Sequence, residues 1–149
     1  MHLEGTYTFN AEREVVWDML QDPNVIGSIM PGSQGMEKIG ENQYQSVLEV
    51  KVGPVTGRFE SNIELADIHA PGSYKLLMNG KGPVGHVTGE GLIRLEYADG
   101  VTTMHYSGDA KVGGRIAAVG QRLLDVAAKS IAKQSLNSLA KKIEERINE

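Results

Sequence analysis

Cysteine is absent from this chain of 149 residues, and with it go disulfides, thiolate nucleophiles, iron–sulfur clusters and cysteine-bound zinc. Bulky rings are scarce as well, with two Phe and one Trp, so few side chains are at hand to plug a wide interior. Positive charge is not in surplus. A formal net charge of −4 argues against a duplex nucleic-acid binder, which presents a basic face. No apolar run approaches the roughly 18 residues of a membrane span, and the N-terminal MHLEGTYTFN is too polar for a signal peptide. The sequence reads as a cytoplasmic protein. Its length suits one domain, residues 1–149, that buries roughly 70% of the surface its unfolded chain exposes.

What is present is a patterned chain with 18 glycines that punctuate strands. His2 to Phe9 alternates, with Leu3, Tyr7 and Phe9 on one face, the signature of a half-buried strand. Asn10 followed by Ala11-Glu12-Arg13-Glu14 predicts an N-cap and an acidic first turn, opening a helix that carries Val15, Val16, Trp17, Met19 and Leu20. Asp22-Pro23 ends it, and Pro23 starts a second short helix over Asn24 to Met30, stopped by Pro31-Gly32. From Gly35 to Val112, turn sequences at near-regular intervals separate six further strands, the pattern of an antiparallel meander. After Gly113-Gly114 the spacing predicts one long helix to the C-terminus. Its apolar stripe rotates in the last third, so the helix is expected to bend or change partner near Ser135.

The Asp99-Gly100 hairpin can be registered from its two-residue turn, which pairs Ala98 with Val101. Leu95 then faces Met104, Ile93 faces Tyr106, Gly91 faces Gly108 and Gly89 faces Ala110, all on one side. Arg94 with His105 and Glu96 with Thr103 take the other side, toward water. The inward side is therefore large at one end and glycine or alanine at the other, where the facing helix offers Ile116, Ala117, Gly120, Leu123 and Ala127. Two outcomes are open: helix and sheet approach closely through these small residues, or a cavity remains for an elongated apolar ligand. Met19, Met30, Met36, Met78 and Met104 serve equally as core packing or as adaptable pocket lining.

Candidate chemistry is thin. His2, His69, His86 and His105 share no metal-ligand spacing. Glu90 and Glu96 alternate onto the outer strand face, away from any general acid–base pair. Gly113-Gly114-Arg115 reads as a helix-start turn, since no phosphate-loop pattern surrounds it. Tyr44 and Tyr106 fall on apolar faces where each hydroxyl needs a partner, supplied either by a ligand oxygen or by a buried water. From Arg115 onward the chain holds seven basic and four acidic side chains, leaving the remainder at −7. That layout suits an ordinary solvated face and also suits guidance toward an anionic membrane surface.

VGPVTGRFE (Val52 to Glu60), PGSYKLLMNGKG (Pro71 to Gly82), GHVTGEGLIRL (Gly85 to Leu95) and KVGGRIAAVGQRLLDVAAKSIAK (Lys111 to Lys133) together resemble the CoxG family, named for carbon monoxide dehydrogenase. That family lies within the START and polyketide-cyclase-like helix-grip superfamily. Asp22-Pro23 and Met30-Pro31-Gly32 look like its pair of short lid helices. The resemblance implies an α+β helix-grip fold: a seven-stranded curved antiparallel sheet wrapped on a long C-terminal helix, with two short helices after the first strand. It also implies a cavity between sheet and helix, of the kind in which superfamily members bind lipids, sterols and polyketides. CoxG proteins are associated with aerobic carbon monoxide oxidation, as accessories linking the dehydrogenase to the membrane, and are not known as catalysts. Where the family commonly has aromatic residues late in the helix, this chain has Gln134-Ser135.

The expectation is thus a non-enzymatic carrier of a hydrophobic, lipid-like or quinone-like molecule, with no catalytic residue, no metal and no cofactor. Trp17, Met30, Tyr44 and Phe59 are expected in its lining. So are Met78, Gly91, Ile93 and Met104, with Tyr106, Gly120, Leu123 and Ala127 completing it. A molybdenum-containing dehydrogenase and a peripheral contact at the inner membrane face are the implied partners. The alternatives are an interaction module without a working cavity, and a cyclase or hydrolase, which would need a polar residue converging inside.

Overall fold

The computed structural model describes residues 1–149. Strand β1 (His2–Phe9) is followed by helices α1 (Arg13–Leu20) and α2 (Pro23–Ile29). Strands β2 (Ser33–Gly40), β3 (Gln43–Val52), β4 (Val55–His69), β5 (Ser73–Gly82), β6 (Gly85–Ala98) and β7 (Val101–Gly113) come next. A 3₁₀ turn (Arg115–Val119) leads into the long helix α3 (Gln121–Ile147). The strands form a single sheet in the order β1-β7-β6-β5-β4-β3-β2, antiparallel at every junction. It is a meander whose first strand returns to pair with the last. Alternation dictates this: the burial of β1 switches at each residue along the strand, as a pleat with one wet face requires.

The Asp99-Gly100 turn has positive φ at both central residues, 51° and 82°, the geometry that matches the twist of a tight hairpin. The register follows: Ala98 opposite Val101, Leu95 opposite Met104, Ile93 opposite Tyr106, Gly91 opposite Gly108 and Gly89 opposite Ala110.

Two local expectations are corrected. Asn10 does not cap α1; the helix starts at Arg13 after an extended Glu12. The reason is that Ala11, 4% exposed, is first pinned to β7, where the Thr102 hydroxyl donates to its carbonyl at 2.7 Å. The C-terminal helix is not continuous from Arg115. Gly120 has φ of 98°, a conformation that interrupts a right-handed helix and that glycine adopts without steric cost, so α3 begins only at Gln121. At α2, the Asp22 carboxylate accepts from the Asn24 amide at 2.9 Å with Pro23 in the first turn, so the cap sits where the sequence places it.

The core is in two pieces. One cluster joins Phe9, Val16, Trp17, Met19, Leu20, Ile29, Tyr44, Leu65, Tyr74, Leu95 and Met104 to Leu136, Leu139 and Ile143 of α3. The other joins Val52, Phe59 and Val84 to Ile116 and to Leu124 of α3. The helix therefore changes partner between Leu124 and Leu136. Tyr7 reinforces the far end by donating its hydroxyl to Asn137 Oδ1 at 2.8 Å.

Thr102 is fully buried and its hydroxyl spans from β7 to the chain before α1. Thr102→Val keeps the shape but leaves the Ala11 carbonyl unpaired, so it should cost about 1–2 kcal/mol and lower the thermal midpoint by about 3–6 °C. Calorimetry on the two proteins checks this.

Candidate functional site

The two clusters leave a band of the inner sheet face between them. In the middle of the sheet, consecutive strands place Tyr44, Ile63, Met78, Gly89 and Ala110 side by side across the ladder. The next inward positions on β6 and β7 are Gly91 and Gly108. The middle turns of α3 supply Ala127, Ala128, Ile131 and Ala132, all only partly buried. A methyl group placed on Gly91 would meet the Ser107 carbonyl at 3.3 Å and Gly108 Cα at 3.9 Å, and nothing of α3 within 4 Å. At Gly89 and Gly108 the nearest atoms likewise belong to the adjoining strand, at 3.1 to 3.9 Å. Helix and sheet do not meet backbone to backbone at these glycines. The helix instead runs closest to β1, β3 and the two short helices, at the flanks of the sheet.

The expected lining residues fall into four groups. Trp17, Tyr44 and Met104 are core members of the first cluster, with Met30, Ile93 and Tyr106 packed against it. Phe59 belongs to the second cluster, and Ala127 packs against that one. Met78 and Gly91 lie in the band between. Gly120 and Leu123 sit at the start of α3, where Gly120 is exposed and Leu123, 39% exposed, reaches the Gly53 turn. Gly120 therefore acts as a helix junction and not as a small residue within a continuous helix.

Tyr74 was not singled out by sequence reasoning, although its alternation with Leu76 and Met78 in β5 marks it as inward. It is 4% exposed, meets Trp17 edge-on at a centroid distance of 5.4 Å, and makes no hydrogen bond with the protein. Burial alone pushes its phenol well above the usual tyrosine range. Ser135, on the middle of α3, was likewise not read as inward; its hydroxyl is sealed from solvent without a partner.

The inward positions of β1 and β3 to β7 hold no charged side chain. Charges occupy the outer face. There His2 pairs with Asp109 at 2.8 Å, and Lys75 with Glu90 at 3.6 Å, while Arg94 lies against Glu96. Hydrogen bonds to Asp109 and Glu4 raise the His2 pKa, and the Arg94 guanidinium lowers that of Glu96. No group of three or more His, Asp or Glu side chains is placed to hold a metal. The largest concave space, about 850 Å³, is lined by the inward row from Met1 to Tyr44, by the two outward rows flanking it, and by no residue of α3. It is a furrow across the outer face, separate from the glycine band.

The raised Tyr74 pKa fixes a sign. The folded chain keeps a proton that the unfolded chain releases above about pH 10, so this contribution to stability is intact below that pH and declines as the pH rises further. Between pH 9 and 11, wild type should lose about 1 kcal/mol more stability than Tyr74→Phe. Denaturant titrations of both proteins at the two pH values measure it, and parallel losses would refute it.

Among solved structures, a conserved protein from Geobacillus kaustophilus is 35% identical, covering 97% of this chain and 96% of its own, with a TM-score of 0.93. The ZhuI aromatase/cyclase from Streptomyces sp. R1128 is 20% identical over 99% of this chain and 95% of its own, with a TM-score of 0.73. A START superfamily protein from Mycobacterium smegmatis is 12% identical over 97% of both chains, also at 0.73. At these lower identities the likeness shows the fold, a START-type helix grip. No curated protein matches the chain. The family model for CoxG, the G component of carbon monoxide dehydrogenase, matches residues 5–144, and the chain belongs to that family.

Proposed function

We propose that this protein binds an apolar, lipid-like or quinone-like small molecule between the sheet and α3, and that it works as a non-enzymatic carrier. One observation carries the reading: the helix is fastened at its two ends by separate clusters, while over Gly89, Gly91 and Gly108 no helix atom approaches as a packed core would require. Apolar area left in this state gains about 25 cal/mol per Å² when a guest covers it. A guest burying about 400 Å² would thus gain on the order of 10 kcal/mol before the cost of immobilising it.

The aromatase/cyclase has the same fold, but proton transfer on a substrate needs a titratable group within reach. The inward-facing candidates here are tyrosines, whose neutral hydroxyls suit holding an oxygen better than exchanging protons at neutral pH. Family membership supports a role beside a carbon monoxide dehydrogenase or a related respiratory enzyme. No helix is long and apolar enough to cross a membrane; membrane contact, in this reading, is peripheral and made from the cytoplasm through basic residues of α3 such as Arg122, Lys129 and Lys133. A second reading, a docking protein that carries no guest, draws support from Leu123 and Val126, exposed to 39% and 60% on the first turns of α3.

Native mass spectrometry of protein purified without detergent separates the two: an added mass of a few hundred daltons is expected of the carrier, and a clean apo peak favours docking. Gly91→Leu tests the site itself. A side chain there points into the band and meets only the adjoining strand, 3.3 Å away at the nearest atom, so the variant should fold and lose uptake of a neutral apolar fluorophore. Unchanged uptake overturns the assignment.

A further inference from the structure

The character of the inner face says more than that the guest is apolar, and the inference rests on the carrier reading. Every inward position of β1 and β3 to β7 is neutral, including the tyrosines and serines. A carboxylate or phosphate brought into the band would lose its water and find no opposite charge. Polar groups are nevertheless present, and on one side. Tyr44 sits in the same inward row as Met78, Gly89 and Ala110 and is more than nine-tenths buried, at 8% exposed. Its hydroxyl makes no hydrogen bond with the protein. One inward position along β4, Ser61 is also 8% exposed, whereas the hydroxyl of neighbouring Ser46 is already spent, donating to the Gly35 carbonyl at 3.0 Å. From the helix, the buried Ser135 hydroxyl is unpaired. A buried donor without an acceptor is costly, and an incoming oxygen removes the cost.

We propose that the guest is an uncharged molecule bearing a hydrogen-bond-accepting oxygen, such as a carbonyl, on an otherwise apolar body, and that the Tyr44 hydroxyl holds that oxygen at the β3–β4 side of the band. Charged amphiphiles of the same length, fatty acid anions among them, are selected against.

The test uses the whole chain with the neutral fluorophore N-phenyl-1-naphthylamine as reporter, displaced at pH 8 by 2-dodecanone or by dodecanoate. The ketone should displace at a concentration at least about tenfold lower than the anion, because charge burial is uncompensated. Tyr44→Phe keeps the ring and should weaken the ketone about fivefold, the loss of one hydrogen bond, while the reporter's own affinity is unchanged. Equal displacement by dodecanoate, or an unaltered ketone in Tyr44→Phe, overturns this inference and leaves the carrier reading standing. Failure of the reporter to bind wild-type protein at all overturns both.

Discussion

The rest of the structure depends on a helix that is fastened at its ends and unsupported in its middle. At 27 residues, α3 is about 40 Å long, long enough to cross the sheet diagonally and touch two separate apolar clusters. Leu139 and Ile143, 0% and 2% exposed, dock its far end against the short helices and β1, and Leu124 docks its near end beside Ile116. Each docking buries side chains that contribute about 1.5–3 kcal/mol apiece. The middle contributes little, because alanines on the helix and glycines on the sheet have no side chains to bring together. Larger residues at those positions would draw the surfaces into one core, so their smallness is what keeps the two clusters apart.

Charge is partitioned as strictly as size. The ion pairs lie on the outer face, where each is exposed and worth about 0–1 kcal/mol, so they do little to hold the fold. Their absence from the inner positions matters more. A low-dielectric space with no formal charge penalises any ionic guest, while a few neutral hydroxyls give it a preferred orientation. Tyr44 and Tyr74 are both deeply buried, yet they differ in setting: Tyr74 is engaged by the Trp17 ring, and Tyr44 stands at the edge of the band.

Much of this was legible in the residues. The Asp99-Gly100 turn dictates a register that runs, pair by pair, to Gly89 opposite Ala110, and so the small end of the inner face could be located before any coordinates. The family likewise followed from glycine-led segments whose spacing is distinctive in combination. The start of α3 was not legible, because hydrophobic periodicity is continuous through Gly120 and carries no information about the positive φ that breaks the helix there. Asn10 misled for a related reason. Its side chain suits a cap, but a contact 91 residues away, from Thr102 to Ala11, holds the chain extended past it. Tyr74 and Ser135 were missed because their significance lies in what they fail to bond, which only three dimensions reveal.

The helix grip is shared with an aromatase/cyclase, so the architecture alone does not decide between catalysis and carriage. The decision falls to the few inward rows between the clusters. A site that rearranges a polyketide must commit acids, bases or oriented waters to particular atoms, and each such group requires charge or a paired network inside the grip. A site that carries a molecule between partners must release it again, which favours broad apolar contact with one or two hydrogen bonds over a dense polar network. The inner face of this protein, with glycine and alanine along the middle and isolated hydroxyls at one side, matches the second requirement. Its weak polar hold and neutral walls would let a guest enter and leave on apolar area alone, with orientation supplied by a single tyrosine.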